Sequence, residues 1–317
     1  MRRPPLKKLI GLAIVLAIGV YLAHLVWESR VTVMAQMRHM SAPWAVLATV
    51  LLVLYFFSHP WLYLLLLRRS GEHAGFADVF SIYFQARAGR YIPGKFWSIA
   101  GLVVLGHRKG ISAARMSVVA VSGTLINLAA AGVHSLLTAQ HYLKESHVTY
   151  GLVVVSIVAC VTVVAVLQTD FVQRRIVLLA AKATGEEGPP VFPLALRNQA
   201  AALFLFWASW VVYGAAGACL VLSFFPVEPA AFFSMNSMFA FAYLMGYCAV
   251  LVPGGIGIQE GIITWMLAGF MAPGMAAAIA ILLRIWMSLV EFLLIGAAYY
   301  MDSGNNLFQL ASKGGKS

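Results

Sequence analysis

Charged residues are scarce in this sequence. They make up 10% of its 317 residues, against about 25% in soluble domains. A soluble domain of this size leaves much of its surface in water and needs charged side chains to cover it. A soluble enzyme and a secreted domain are therefore excluded. A disordered chain is excluded too, because it requires few apolar residues and many charged ones.

Signatures of catalysis and metal binding are also absent. The sequence contains no His-Glu-x-x-His, no P-loop, no Gly-x-Ser-x-Gly and no paired aspartates of the glycosyl-transfer type. Its eight histidines are scattered, and its three cysteines lie in apolar segments without metal-ligand spacing. We therefore expect no enzymatic activity, no cofactor and no bound metal.

Long apolar runs are what the sequence has in abundance. Hydrophobic residues make up 62% of the chain, and the mean hydropathy is +0.86. The runs are continuous rather than alternating, which is typical of membrane helices and not of β-barrel strands. We predict an all-α, polytopic helical membrane protein with one integral membrane domain over residues 1–317.

Six of these runs are predicted to cross the membrane fully, because each has about 20 mostly apolar residues. They are Leu9–Trp27, Pro43–Leu67, Ser112–Thr138, Thr149–Leu167, Asn198–Phe224 and Pro273–Met301. Two other stretches, Phe76–Gly106 and Phe232–Phe270, consist of apolar halves separated by a Pro-Gly break. We predict that both are broken, re-entrant helical hairpins. The alternative is eight or more spans, with these halves crossing fully.

The distribution of basic residues predicts the orientation. Most of the 22 lysines and arginines fall on one side of this layout, together with the N-terminus 1–8, an amphipathic helix and linker at 171–190, and the tail 302–317. The three on the other side are Arg30, Arg38 and Lys144. Positive charge marks cytoplasmic loops. We therefore expect a multi-pass protein of the inner (cytoplasmic) membrane with both termini in the cytoplasm.

The second break concentrates residues that disfavour a helix. Pro253, Gly254, Gly255 and Gly257 fall within five positions between apolar flanks. Irregular backbone at membrane depth is tolerated only where protein buries it or where it lines a wet cavity. The segment is therefore either a tight connection between two helices or a re-entrant turn. In the second case, the following helix points its positive end at an anion.

Three charged or amide side chains near this break need hydrogen-bond or ion-pair partners inside the membrane. Gln259 and Glu260 follow it directly, and Glu260 is either a helix cap or a buried carboxylate paired with a cation. Arg284 stands in an apolar helix, where an arginine costs about 2.5–3.5 kcal/mol. Ser288 and Glu291 share its helix face. We predict that Arg284 pairs with Glu260 or Glu291, or binds a phosphate; one arginine can do both.

The first broken segment is basic. Arg87, Arg90 and Lys95 bracket the turn that contains Pro93 and Gly94. Solvated charges on the cytoplasmic side explain many such clusters. Three cations around a re-entrant turn also suit the phosphate of a lipid.

A polar stripe follows one face of the predicted span 112–138. Ser117, Thr124, Asn127 and His134 fall within about 100° of one another at 100° per residue. Such residues either form hydrogen bonds between helices or line a cavity. We assign Asn127, together with Ser288 and Glu291, to a buried polar network.

The motif Pro253-Gly-Gly-Ile-Gly-Ile-Gln-Glu260-Gly, followed by Arg284 and Gly296, resembles the lysylphosphatidylglycerol synthase transmembrane region family. These are flippase-like integral membrane proteins. Upstream, Gly89-Arg-Tyr-Ile-Pro-Gly-Lys95 resembles the cytoplasmic Pro-Gly segment of the family, and the likeness covers about residues 9–300. The third span departs from the family pattern. It reads Ser122-Gly-Thr-Leu-Ile-Asn127, where the family often carries a Glu-Arg pair and a further acidic residue.

The resemblance implies a flippase or translocase of an anionic phospholipid or a lipid-linked sugar. No nucleic-acid partner is expected, because the basic residues lie between apolar runs and suit the membrane surface; oligomerisation is left open. Lipid aminoacylation is not expected, because the synthases of this family append a large soluble domain and only 16 residues follow Met301. The residues alone leave two alternatives: a secondary transporter of a small anionic solute, and a membrane-embedded enzyme acting on polyprenyl-linked sugars. The predicted phosphate ligands are Arg87, Arg90, Lys95 and Arg284. The predicted pathway residues are Pro93, Gly94, Pro253, Gly254, Gly255, Gly257, Gln259 and Glu260.

Overall fold

The computed structural model describes residues 40–92, 96–139, 196–226, 229–249 and 252–314, with isolated residues elsewhere. Within these ranges the chain forms eight α-helices, two short 3₁₀ turns and no strand, so the predicted helical class is confirmed. The helices are α1 (Ala42–Arg69), α2 (Phe76–Arg87), α3 (Phe96–Arg108), α4 (Ala113–Ala139), α5 (Leu196–Phe224), α6 (Pro229–Cys248), α7 (Ile258–Leu267) and α8 (Pro273–Gly314). The 3₁₀ turns are Ala88–Tyr91 and Pro253–Gly255.

Among the described helices, four are long and apolar enough to cross a membrane. These candidate spans are Ala42–Arg69, Ala113–Leu136, Ala200–Phe224 and Pro273–Asp302. They coincide with four of the six predicted spans. The other two, Leu9–Trp27 and Thr149–Leu167, lie almost entirely outside the described residues, as does the predicted amphipathic segment 171–190.

Backbone and ion-pair contacts define the two ends of the helix bundle. The Ser41 amide donates to the Ser223 carbonyl at 2.6 Å, which joins the start of α1 to the end of α5. We call this the Ser41 end. At the opposite end, Lys109 lies 3.3 Å from Asp78 and 2.8 Å from Asp302. This second end also carries Arg68, Arg69 and Arg115, and we call it the basic end.

The first broken segment enters and leaves the bundle at the basic end. Helices α2 and α3 have 12 and 13 residues, or about 18–20 Å each at 1.5 Å per residue. The hydrocarbon core of a bilayer is about 30 Å thick. The contact between Lys109 and Asp78 brings the start of α2 beside the end of α3. The hairpin therefore turns part-way through the bundle, at Ala88–Tyr91.

The second broken segment enters and leaves the bundle at the Ser41 end. Helix α6 begins near the Ser41 end, where His134 of α4 contacts Asn236 at 2.6 Å. Helix α7 has only 10 residues, about 15 Å, and a short link joins it to the start of α8. The turn Pro253–Gly255 contacts the turn Ala88–Tyr91. The two breaks therefore approach from opposite ends of the bundle and meet inside it.

Candidate functional site

A cavity of about 90 Å³ lies where the two breaks meet. Helices α1, α2, α3, α4, α6 and α7 contribute to its wall. Its polar lining consists of His59, Tyr63, Tyr83, Arg87, Arg90, Ser98, Thr124, Asn127, Tyr243, Tyr247 and Gln259. A smaller cavity of about 20 Å³ shares part of this wall and adds residues of α8, including Arg284, Ser288 and Glu291. The meeting point of the breaks is therefore polar and charged.

Glu291 of α8 holds the first break. Its Oε1 accepts a hydrogen bond from Arg87 Nε at 2.6 Å, and Arg90 Nη1 lies 3.1 Å from both carboxylate oxygens. The hydroxyl of Tyr91 donates to Oε2 at 3.1 Å. The Glu291 side chain is only 5% exposed. A carboxylate buried this deeply needs such complete compensation, and here the first break supplies it.

Aromatic rings fix the direction of both arginines. Arg87 Nη1 donates to the Tyr83 hydroxyl at 2.9 Å, and its guanidinium lies 5.2 Å from the Phe56 ring centroid. The Arg90 guanidinium lies 5.7 Å from the Tyr91 ring centroid. A planar guanidinium over an aromatic face is stabilised by the ring quadrupole. Both cations are thereby kept on the cavity wall, out of bulk water.

Arg284 holds the second break. It donates from Nη1 to Gln259 Oε1 at 2.9 Å and from Nη2 to the Gly254 carbonyl at 3.0 Å. Its Nε lies 3.2 Å from Glu260 Oε1, so of the two carboxylates predicted as its partner, Glu260 is the one that forms the ion pair. The other Glu260 oxygen accepts from the Gly257 amide and caps α7. Glu260 is therefore both the cap and the buried ion-pair partner.

Two glycines let the second break pack tightly against its surroundings. Gly254 and Gly255 have φ values of 59° and 69°, in the left-handed region. A Cβ at Gly254 would lie 3.2 Å from Arg284 Nη2 and 3.3 Å from the Tyr91 ring. A Cβ at Gly255 would lie 2.7 Å from Gln259 Nε2. Glycine is therefore required at both positions, since the neighbouring side chains already occupy the space that a Cβ would take.

The predicted polar stripe of α4 divides between two surroundings. Thr124 and Asn127 line the larger cavity, and Trp210 Nε1 donates to Asn127 Oδ1 at 3.0 Å. His134 contacts Asn236 instead, and Ser117 donates to the carbonyl of Ala114. Only half of the stripe therefore reaches the cavity.

The three members of the predicted polar network do not share one cavity. Asn127 lines the larger cavity, whereas Ser288 and Glu291 line the smaller one. Pro93, Gly94 and Lys95 lie outside the described residues, so the phosphate-binding role of Lys95 stays a prediction.

Sequence reasoning missed the aromatic and histidine part of the wall. His59 is 3% exposed and lines the larger cavity, as do Tyr83 and Tyr243. One signal was available: His59 is an ionisable residue near the middle of an apolar span, and such residues are functional candidates by default. The tyrosines gave no comparable signal, because aromatic residues are common throughout this sequence.

Ion pairs close the base of the first hairpin at the basic end. Lys109 lies between Asp78 and Asp302, and Arg115 lies 3.5 Å from Glu72. Burial lowers the pKa of Lys109, but its contacts with Asp302 and Asp78 outweigh that effect and raise the pKa above its usual value. The Lys109 ammonium therefore stays charged and ties α2 and α8 to the end of α3.

These features define a polytopic helical membrane protein in which two broken segments meet at a buried, charged site. The sequence matches the family described as Lysylphosphatidylglycerol synthase TM region over residues 8–295. The chain belongs to this family, and the resemblance drawn from its motif is confirmed. The match places the chain among membrane proteins of a lipid-related family. A search of curated proteins found no match.

Proposed function

We propose that this protein moves an anionic phospholipid or a lipid-linked sugar between the leaflets of the cytoplasmic membrane, and that Arg87 and Arg90 hold the lipid phosphate. One observation carries the proposal. Both arginines lie at the first break and line a cavity whose wall also includes Gly254 and Gln259 of the second break. Guanidinium groups bind phosphate oxygens through paired, charge-assisted hydrogen bonds.

The orientation of the site follows from charge. We infer that the basic end faces the cytoplasm, since Arg68, Arg69, Lys109 and Arg115 lie there and basic residues favour that side. The first hairpin then re-enters from the cytoplasmic leaflet, and α7 descends from the outer one. Broken segments that meet near the membrane midplane are characteristic of transporters that alternate access to a single site.

Glu291 supports an exchange mechanism. Its carboxylate already occupies donors of Arg87 and Arg90, and a lipid phosphate is a second oxyanion that competes for them. Transfer of the arginines from carboxylate to phosphate would release the first break from α8. The cavity of about 90 Å³ is smaller than the roughly 300–1,000 Å³ of ligand pockets. We therefore infer that the cavity must widen to admit a lipid headgroup.

Arg284 takes a different role in this scheme. Its donors are directed at Gly254, Gln259 and Glu260, and it lines the smaller cavity rather than the larger one. We propose that Arg284 is a positioning residue that holds the second break, and that it adds positive potential without binding phosphate directly.

A small anionic solute is the second candidate substrate, and the small size of the cavity favours it. The same arginines would bind a free oxyanion. In that case no acyl chain would need to pass between the helices, and transport would not require a lipid. The two candidates therefore differ in whether the phosphate must be attached to a lipid.

The test is leaflet-resolved transport of labelled phosphatidylglycerol in liposomes containing the purified protein. We expect Arg87→Gln with Arg90→Gln to slow transport at least tenfold, since hydrogen bonds to charged groups contribute about 1.5–3 kcal/mol each. A triple variant that adds Glu291→Gln avoids leaving a buried carboxylate unpaired and should be equally slow. Arg68→Gln with Arg69→Gln removes the same charge outside the cavity and is the matched control.

Normal lipid transport by the folded triple variant would contradict the proposed site. Arginine-dependent uptake of inorganic phosphate without any lipid movement would identify the protein as a solute transporter instead.

A further inference from the structure

An apolar groove of about 650 Å³ lies between α1, α5 and α8 near the Ser41 end. Among its described lining residues none is charged, and the Thr49 hydroxyl already donates to the Ala45 carbonyl at 2.8 Å. The volume falls within the roughly 300–1,000 Å³ of small-molecule sites. The groove is therefore large enough for an apolar ligand. Its wall includes Val46, Val50, Leu220, Phe224, Ile285 and Leu289.

The same three helices also line the smaller cavity, which Arg87 and Arg90 share. Their residues in that cavity include Tyr55, Tyr213 and Ser288. On α1, Tyr55 follows Val50 of the groove by five positions, about 7.5 Å along the helix. On α8, Ser288 and Leu289 are adjacent in the chain. The groove therefore lies about one and a half helical turns from a cavity that two proposed phosphate ligands line.

The direction from the cavity to the groove corresponds to one orientation of a bound lipid. Arg87 and Arg90 belong to the hairpin that enters from the basic end, whereas the groove reaches Met40 and Phe224 at the Ser41 end. A lipid with its phosphate at the arginines and a chain in the groove directs its headgroup towards the basic end. Lipids in the leaflet at the basic end already have this orientation. A lipid from the other leaflet would first have to turn over.

We propose that the groove holds an acyl chain of the lipid whose phosphate Arg87 and Arg90 bind, and that this lipid is taken up from the leaflet at the basic end. The inference rests on the proposed function and adds the chain site and the source leaflet. A chain that leaves the bilayer for this groove stays in apolar surroundings, since lipid tails are as apolar as leucine. Only the headgroup then has to be carried through the hydrocarbon. A second copy of the chain, or the predicted span Leu9–Trp27, could also cover an apolar groove, but the arginines of the adjacent cavity would direct neither to it.

Photocrosslinking distinguishes a chain placed by the arginines from bulk lipid. We would add a trace of phosphatidylglycerol with a diazirine on its acyl chain to phosphatidylcholine liposomes containing the full chain, and map the labelled residues by mass spectrometry. Val50 and Leu289 should be labelled more strongly than Leu54 and Leu293, which are exposed apolar residues outside the groove. Arg87→Gln with Arg90→Gln should lower labelling of the groove to the level of that outer face. Diacylglycerol with the same chain lacks the phosphate and should show no preference for the groove.

The source leaflet is tested in liposomes that hold the protein in one orientation. Photolipid added only to the leaflet at the basic end should give the arginine-dependent labelling immediately. Photolipid added only to the other leaflet should give it after a delay set by transport. The opposite order would overturn the assignment of the leaflet.

Bulky substitutions test whether the groove is needed for transport. Leu289→Trp should slow transport of labelled phosphatidylglycerol roughly tenfold, because an overfilled site disfavours its occupant. Leu293→Trp, one turn further along α8 and 73% exposed, is the matched control and should transport normally. Val50→Trp, with Leu54→Trp as its control, repeats the comparison on α1 and serves if Leu289→Trp does not fold.

Groove labelling that does not depend on the arginines would overturn the inference, as would normal transport by both folded groove variants. Benzoylphenylalanine in place of Leu289 should crosslink to lipid; a crosslinked dimer, or an internal crosslink to Leu9–Trp27, would assign the groove to that occupant instead. If the proposed function holds and the groove does not, lipid transport will still require Arg87 and Arg90. Failure of the proposed function looks different, since phosphate uptake would then depend on the arginines, no lipid would move, and Leu289→Trp would have no effect.

Discussion

Arg284 and Glu291 lie on one face of α8, seven positions apart, and each holds a different break. Seven residues correspond to about 10.5 Å along a helix. Arg284 contacts Gly254 and Gln259 of the second break, whereas Glu291 contacts Arg87 of the first. Helix α8 is therefore the element through which the two broken segments are connected, and a shift of either break changes the charge balance on this face.

Truncation of Arg284 should destabilise the second break. Arg284→Ala leaves Glu260 buried without its cation, and removing one partner of a buried pair costs about 3–5 kcal/mol. We expect a lower free energy of unfolding in detergent and no transport. Arg284→Lys should restore part of both, because lysine carries the charge without the planar fork that reaches Gly254 and Gln259 together.

Arg115→Ala is the matched control for this prediction. Arg115 pairs with Glu72 at the basic end and is partly exposed. Exposed pairs contribute about 0.2–1 kcal/mol, so its loss should have little effect. Full transport by Arg284→Ala would rule out the role assigned to this arginine.

Glycines of the second break should differ in their tolerance to substitution. Gly254→Val and Gly255→Val place a branched side chain at a left-handed φ and against close neighbours, so both should abolish transport. A valine at Gly257 meets open space, but its φ of 83° is equally unfavourable for it. Gly257→Asn should retain most activity, since asparagine tolerates left-handed φ. Transport and correct insertion would be measured for each variant.

The second break could be predicted from the sequence because its residues are energetically unfavourable in a membrane helix. Proline, clustered glycines and a lone arginine all disfavour an apolar helix, so Pro253–Gly257 and Arg284 were conspicuous. Glu260 was within reach as well, since it falls in the first turn after the break. The start of α7 at Ile258 follows from the same local signals.

The partners of the first break could not be predicted in the same way. Glu291 pairs with Arg87 and Arg90 across about 200 residues, and nothing local in the sequence specifies which carboxylate meets which arginine. Helix packing decides it, because the hairpin tip reaches the level of Glu291 on α8. His59 was missed for a related reason, since its place on the cavity wall arises only when six helices pack together.

The basic end should face the cytoplasm. In a chain whose natural cysteines have been replaced, His73→Cys at this end should resist an impermeant thiol reagent added outside intact cells. Met40→Cys at the Ser41 end should react with it, and both residues are exposed. Tags at both termini should likewise be accessible only from the cytoplasm. External labelling of His73→Cys with protection of Met40→Cys would invert the orientation.

The ion pairs of Lys109 should stabilise the first hairpin modestly. Lys109→Met removes two partly exposed pairs, each contributing about 0.2–1 kcal/mol. Because pairing raises the pKa of Lys109, this stability is fully present below the unfolded pKa of about 10.4 and is lost as pH rises through the folded value. The difference in unfolding free energy between wild type and variant should stay constant from pH 7 to 9 and shrink at higher pH. A difference that shrinks below neutral pH would assign the effect to another group.

Neutralising Glu291 should separate binding from transport. In Glu291→Gln, three arginines, Arg87, Arg90 and Arg284, face one carboxylate instead of two. The substitution also removes the oxyanion that competes with phosphate for Arg87 and Arg90. Anionic lipid should therefore bind about fivefold tighter, since one charge contributes about 1 kcal/mol near anionic lipid, and binding should weaken more steeply with salt. Transport should nevertheless become slower, because no carboxylate then replaces phosphate as the partner of Arg87 and Arg90 when phosphate dissociates.

Glu72→Gln, at the basic end, is the matched control. It removes the same charge outside the cavities and should alter neither the lipid affinity nor the transport rate. Unchanged affinity in a folded Glu291→Gln variant would show that phosphate does not compete for these arginines.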